Sequence, residues 1–224
     1  MFYSVIVSNL AWIAAFLGMF YGADRLLTAA RLEGVYYAIH AAHNAAIVGI
    51  TGNEVIQALT NFEASIVAPQ NFRALQLVFA LHFYHIAAYW RKFRTDDWLH
   101  HILMIGIALP IGGLVPAGGL LGYSLFFTTG LPGGIDYALL FLNRNGWLHR
   151  NVEKRVNTWL NVWIRSPGTV SLATLTALRL SREVPYTSLW WGGIITGVLN
   201  YWNGQYFMQQ VVYNLGQTEG RIAN

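Results

Sequence analysis

Six of the seven histidines stand in three pairs, His40/His43, His82/His85 and His100/His101. A spacing of three residues puts each of the first two pairs on one helix face. The third pair closes the stretch RKFRTDDWLHH, residues 91–101, just where charges give way to a hydrophobic run. Asp96 and Asp97 precede His100 and His101 by four positions, so each carboxylate can approach one imidazole, fix its tautomer and raise its basicity. A histidine held in this way can act as a general base, or as a nucleophile toward an activated acyl group. The same residues also read as an interfacial salt-bridge cluster with Arg91, Lys92 and Arg94.

Two further readings compete for the histidines. Imidazole suits iron and zinc, and three pairs could converge in a bundle. Membrane desaturases and hydroxylases carry denser boxes, however, in which a spaced His is followed directly by a His pair. Here HAAH and HFYH lack the adjoining second His, and HH lacks its upstream partner. Simple topology also puts His40 and His43 mid-span, away from His100 and His101. No metal ligand is therefore assigned, and no resident cofactor is expected. The third reading is structural: neutral imidazoles at His40, His43, His82 and His85, satisfied by Tyr, Asn44 or a backbone carbonyl.

The elements that must position these groups are hydrophobic. Of 224 residues, 55% are hydrophobic and 11% charged, against the roughly 25% charged of ordinary soluble domains. This composition predicts one all-α transmembrane domain over residues 1–224, a bundle of six to seven spans. Apolar runs lie at about 3–22, 35–51, 71–90, 98–113, 115–131, 168–184 and 188–211. The first lacks a basic leader and reads as a retained span rather than a signal peptide. PIGGLVPAGG splits the fourth run from the fifth. The sixth carries Arg179 and Arg182 near its end, where they must snorkel. With no cysteine, thiol and disulfide chemistry are excluded.

Loop charge supplies a topology. With the N-terminus outside and the C-terminus inside, eleven of the fourteen basic residues fall in the inner segments 23–34, 91–97, 132–167 and 212–224. That bias obeys the positive-inside rule and puts the Asp–His cluster on the inner face. Residues 147–165 read as an amphipathic helix rather than a span, with Leu148, Val152, Val156, Trp159 and Trp163 along one side. Such a helix lies in the interface plane or packs on the bundle, and RSPG should end it before the next span. Nothing resembles a nucleic-acid patch. The only lysines, Lys92 and Lys154, stand in inner segments, which leaves no Schiff-base amine for a retinal protein.

RTDDWLHHILM resembles the signature of the TLC-domain family, the domain shared by ceramide synthases, translocating-chain-associating proteins and small lipid-regulating membrane proteins. HFYHIAAYW resembles the aromatic span before the His pair, and GVLNYWNGQYFMQQVV resembles the family's last span. The likeness covers about 70–211, with GLPGGIDYALLFLNR in the place of an inner re-entrant segment. It implies that His100 and His101 are the reactive or lipid-contacting pair, with Asp97, and less surely Asp96, beside them. Asp136, His82, His85, His40 and His43 would be polar groups of a lipid cavity. In ceramide synthases the paired His serve acyl transfer from acyl-CoA, which makes acyl-CoA the co-substrate to expect.

This chain departs from that pattern. Met104 replaces the hydroxyl residue expected after the pair, and no carboxylate follows until Asp136. The expectation is a membrane protein that binds or processes a long-chain lipid, in the endoplasmic reticulum or another organelle membrane. The alternative is a non-enzymatic lipid regulator or an accessory subunit packed against other membrane subunits. The small-residue runs GGLLG and WWGGIITG favour that second class.

Overall fold

Proline shapes this molecule more than its expected loops do. The computed structural model describes the backbone of residues 2–182 and 190–223, and the side chains of 9–182 and 190–220. Within that range the chain is 88% helix with no strand, as the composition predicts. The outer ends of two expected spans, 183–184 and 188–189, and the Arg221 side chain lie outside the described residues.

Helix α1 is Phe2–Ala29, α2 is Val35–Thr60, α3 is the short Phe62–Val67 and α4 is Phe72–Tyr89. Helix α5 is Thr95–Leu114 and α6 is Leu120–Arg144. Helix α7 joins Arg150–Leu160, Asn161–Arg165 and Ser166–Leu180 without a break, and α8 is Trp190–Ala223.

Pro110, Pro132 and Pro167 all sit inside helices, and each follows a five-residue π turn: Met104–Ala108, Phe126–Gly130 and Asn161–Arg165. A proline has no N–H, and its ring crowds the carbonyl four residues back; a widened turn relieves both problems. Two expectations are corrected here. RSPG does not end the 147–165 helix, because the third π turn carries it into the next element. GLPGGIDYALLFLNR is no separate segment but the second half of α6. A true break falls at residues 115–119. There Gly118 takes φ +60°, and a Cβ on it would stand 2.6 Å from the Ser65 carbonyl oxygen.

The long helices run back and forth between two ends of a bundle. At one end Asn9 meets Gln76, Asn71 meets Ile50, Gln70 meets Val115 and Arg179 meets Ile66. At the other, Asn145 bonds Glu33, and Tyr36 packs on Tyr89 and Tyr137. The core lies around α2 and α4, where Ile39, Ile47, Leu77, Val78 and Tyr84 are buried. Asn9–Ala29, Thr95–Leu114 and Leu120–Arg144 are long and apolar enough to cross a membrane.

The outer surface is greasy, and much of the inside is polar. On α7 the expected stripe points away from the bundle, with Trp159 54% and Trp163 65% exposed, while Glu153, Asn161 and Arg165 are buried. Water would punish this arrangement, whereas hydrocarbon favours it. The stripe therefore does not pack on the molecule's own bundle.

Candidate functional site

The sequence keeps the three histidine pairs apart; the fold brings them together. His82 and His85 end α4, His100 and His101 begin α5, and His40 and His43 lie in the first turns of α2, all near the Tyr36/Tyr89 end. The ring centroids of His82, His100 and His101 form a nearly equilateral triangle, 5.4, 5.3 and 5.4 Å on a side. His85 stands 5.6 Å from His101. His40 stacks between His85 at 4.2 Å and Tyr137 at 4.0 Å. The expected separation of His40 from His100 and His101 is thus overturned, because α2 packs beside α4 and enters from the same end. His43 is the outlying member, edge-on to Phe20 and bonded through Nδ1 to Asn44 at 2.8 Å.

The tautomers follow from main-chain partners. His101 Nδ1 lies 2.7 Å from the Asp97 carbonyl oxygen, and His82 Nδ1 lies 2.8 Å from that of Val78. A carbonyl only accepts, so both rings carry the proton on Nδ1 and keep a lone pair on Nε2. The Nε2 atoms of His85 and His101 are buried with no hydrogen-bond partner, an uncommon condition for polar atoms inside a protein. His101 is buried, whereas His100 is exposed.

The carboxylates do not do what their spacing suggests. Asp97 turns its Oδ2 to the Arg94 main-chain N–H at 2.9 Å, with the Arg94 guanidinium 3.9 Å away. Free N–H groups and the positive pole of a helix start draw a carboxylate more strongly than an imidazole one turn on. Asp96 is exposed. The orienting partner of His101 is therefore the Asp97 backbone, not its side chain.

Asp136 belongs to a neighbouring polar group. Its field is felt with those of Glu153 and Arg165, and Oδ1 of Asp136 and Oε1 of Glu153 are buried without partners. Arg165 donates to Asn161 at 2.9 Å, and Glu153 faces Lys154 at 3.5 Å. The Asn44 side-chain oxygen accepts from Thr129 at 3.0 Å and from His43 at 2.8 Å, and Gly133 packs near both Asn44 and Arg165. Glu153, Asn161 and Arg165 escaped the sequence reading because they share a helix with an apolar stripe that looks like the buried face.

Behind the histidines lies an apolar cavity of about 140 Å³ between α5, α6, α7 and α8. Met104 lines it, one helical turn beyond His100 and His101. On α5 the lining runs from Met104 to Gly112, roughly 12 Å at 1.5 Å per residue. None of the expected lining groups, Asp96, Asp136, His40, His43, His82 and His85, reaches this cavity. Its polar lining comes instead from Ser124, Thr128, Thr176, Thr196, Asn200 and Asn203, with Arg179 toward the far end.

Among the described residues no group of three or more His, Asp or Glu is disposed to hold a metal ion. No family model matches the chain, and neither does any curated protein or solved structure.

Proposed function

We propose that this is an integral membrane protein of seven spans, α1, α2, α4, α5, α6, α7 and α8, with its N-terminus outside and C-terminus inside. It holds a long-chain lipid in the α5–α8 cavity and transfers an acyl group at the histidine cluster, as the TLC-like motif suggests. One observation carries this reading: an apolar cavity of about 140 Å³ ends at Met104, one turn from His101, whose Nε2 lone pair has no partner. The alternation of the long helices between two ends and the greasy exterior support the membrane placement.

The chemistry follows from the tautomer. The Nε2 of His101 attacks the thioester carbonyl of an acyl-CoA; a C–N bond forms, the C–S bond breaks, and the thiolate leaves. The proton stays on Nδ1, donated in a hydrogen bond to the Asp97 carbonyl oxygen, which stabilises the cationic acyl-imidazole. An amine or hydroxyl of the lipid then attacks the acyl carbon, the C–N bond to His101 breaks, and its proton passes through the more open His100 to the thiolate. The products are an acylated lipid and free CoA.

Purified protein incubated with labelled long-chain acyl-CoA and a mixed lipid acceptor should yield labelled lipid. His101→Ala should lower the yield by about 10²-fold or more, the usual range for loss of a proton-transferring or nucleophilic group. Equal yields from wild type and His101→Ala sink the reading.

A second reading, an accessory subunit or lipid regulator, rests on the exposed Trp159 and Trp163 of α7 and Trp191 and Trp202 of α8. Enrichment of large aromatics is what a protein–protein contact requires. Isolation in mild detergent as a lone monomer with an empty cavity argues against it.

A further inference from the structure

We infer that the cavity selects lipids carrying a hydrogen-bond donor, a hydroxyl or an N–H, and that Asn203 is the residue that reads it. The inference rests on the lipid-cavity reading above and deepens it.

Most polar groups of the lining are already satisfied within the protein. Ser124 donates to the Asn200 side-chain oxygen at 2.7 Å, and Thr128 donates to the Ser124 carbonyl at 2.7 Å. Asn200 gives its amide hydrogen to the Thr196 carbonyl at 2.8 Å, and Thr196 gives its hydroxyl hydrogen to Gly192 at 2.8 Å. Arg179 donates to the Ile66 carbonyl at 2.7 Å. Asn203 differs: its side-chain oxygen is buried on the cavity wall and has no partner.

A buried amide oxygen without a donor is costly, and one facing an otherwise apolar space is the place where a guest can repay that cost. An alkyl chain alone leaves the atom orphaned. A chain with a hydroxyl or amide N–H near its head satisfies it, while the remaining carbons follow the apolar lining toward Ile111 and Val115. Asn203 sits one turn beyond Asn200 on α8, hence beyond the Ser124 level and toward the histidine end of the cavity. The donor is thereby held on the side where an acceptor group must meet the cluster. A site built this way rejects an analogue that lacks the donor, because the analogue leaves the protein atom unpaired.

The test uses two matched probes, hexadecan-1-ol and its methyl ether, competed against a fluorescent fatty-acid analogue bound to the full chain in detergent. Both have the same chain and an sp³ oxygen that can accept a hydrogen bond; only the alcohol donates. Wild type should prefer the alcohol by about tenfold, the factor that corresponds to 1.4 kcal/mol. Asn203→Leu should erase that preference while still binding the ether, and Asn203→Gln should restore part of it. Equal affinities for the two probes in wild type, or an unchanged preference in Asn203→Leu, overturn the inference and leave the cavity reading standing. If neither probe displaces the analogue, the cavity reading falls, and this one with it.

Discussion

The His101 imidazole is held by the main-chain oxygen of Asp97, 2.7 Å from Nδ1, while the Asp97 carboxylate caps the start of the same helix. Backbone carbonyls survive side-chain substitution. Asp97→Ala should therefore leave any His101-dependent acyl transfer within about threefold of wild type. It should also lower stability by about 1 kcal/mol through the lost cap contact. A loss of activity as deep as that of His101→Ala would show that the carboxylate, not the carbonyl, orients the ring.

Met104 stands between the histidines and the cavity. Met104→Trp should close the mouth with bulk in an apolar setting. Native mass spectrometry of the purified variant should then show loss of any co-purified long-chain lipid, with the melting temperature little changed. Retention of the lipid in the variant would place the entrance elsewhere.

Helices α7 and α8 cross where Gly204 leaves no room for a side chain: a Cβ there would collide with the buried Thr169 hydroxyl. Gly204→Ala should destabilise the fold by about 1–3 kcal/mol, the usual range for overpacking. Gly216, on the same helix, has open space where its Cβ would stand. Gly216→Ala should raise stability slightly, by roughly 0.5–1 kcal/mol. Thermal melting of the two variants side by side checks the crossing, and equal effects would rule it out.

Trp159 and Trp163 face away from the bundle. In vesicles containing lipids brominated on the acyl chains, wild-type tryptophan emission should be quenched. Trp159→Phe with Trp163→Phe should remove a measurable share of that quenching. If the double variant quenches as fully as wild type, this face meets water or protein rather than hydrocarbon.

Much was legible in the sequence where a local rule decides the outcome. Composition alone determined an all-helical chain with membrane-length apolar segments, because so few charges cannot cover a water-facing surface. The i, i+3 spacing determined that His40 with His43, and His82 with His85, share helix faces. The glycines of PIGGLVPAGG marked a break that formed, since Gly118 must adopt a left-handed backbone against Ser65.

Other elements misled because their local rule has a tertiary escape. Pro132 and Pro167 read as helix ends, yet a π turn ahead of each removes the carbonyl clash, and nothing in the residue types announces it. The Trp stripe of α7 read equally as interfacial or as packed on the bundle, because sequence periodicity finds the apolar side without saying what it meets. Asp97 and His101 have the right spacing to pair, but spacing cannot tell whether a carboxylate prefers the ring or the open N–H of its own helix start.

The sequence by itself determined the kinds of groups available: imidazoles in pairs, acids beside one pair, and apolar helices to carry them. Only the tertiary structure decided that all three pairs gather at one end of the bundle and that a cavity opens one turn away. It also decided that Asn203 and not Asp136 supplies an unpaired polar atom to the cavity wall. The physical reason is range. Spacing along a helix governs neighbours within a turn, whereas the meeting of His40 with His85 depends on how α2 and α4 pack, which is set by the shapes of both helices together.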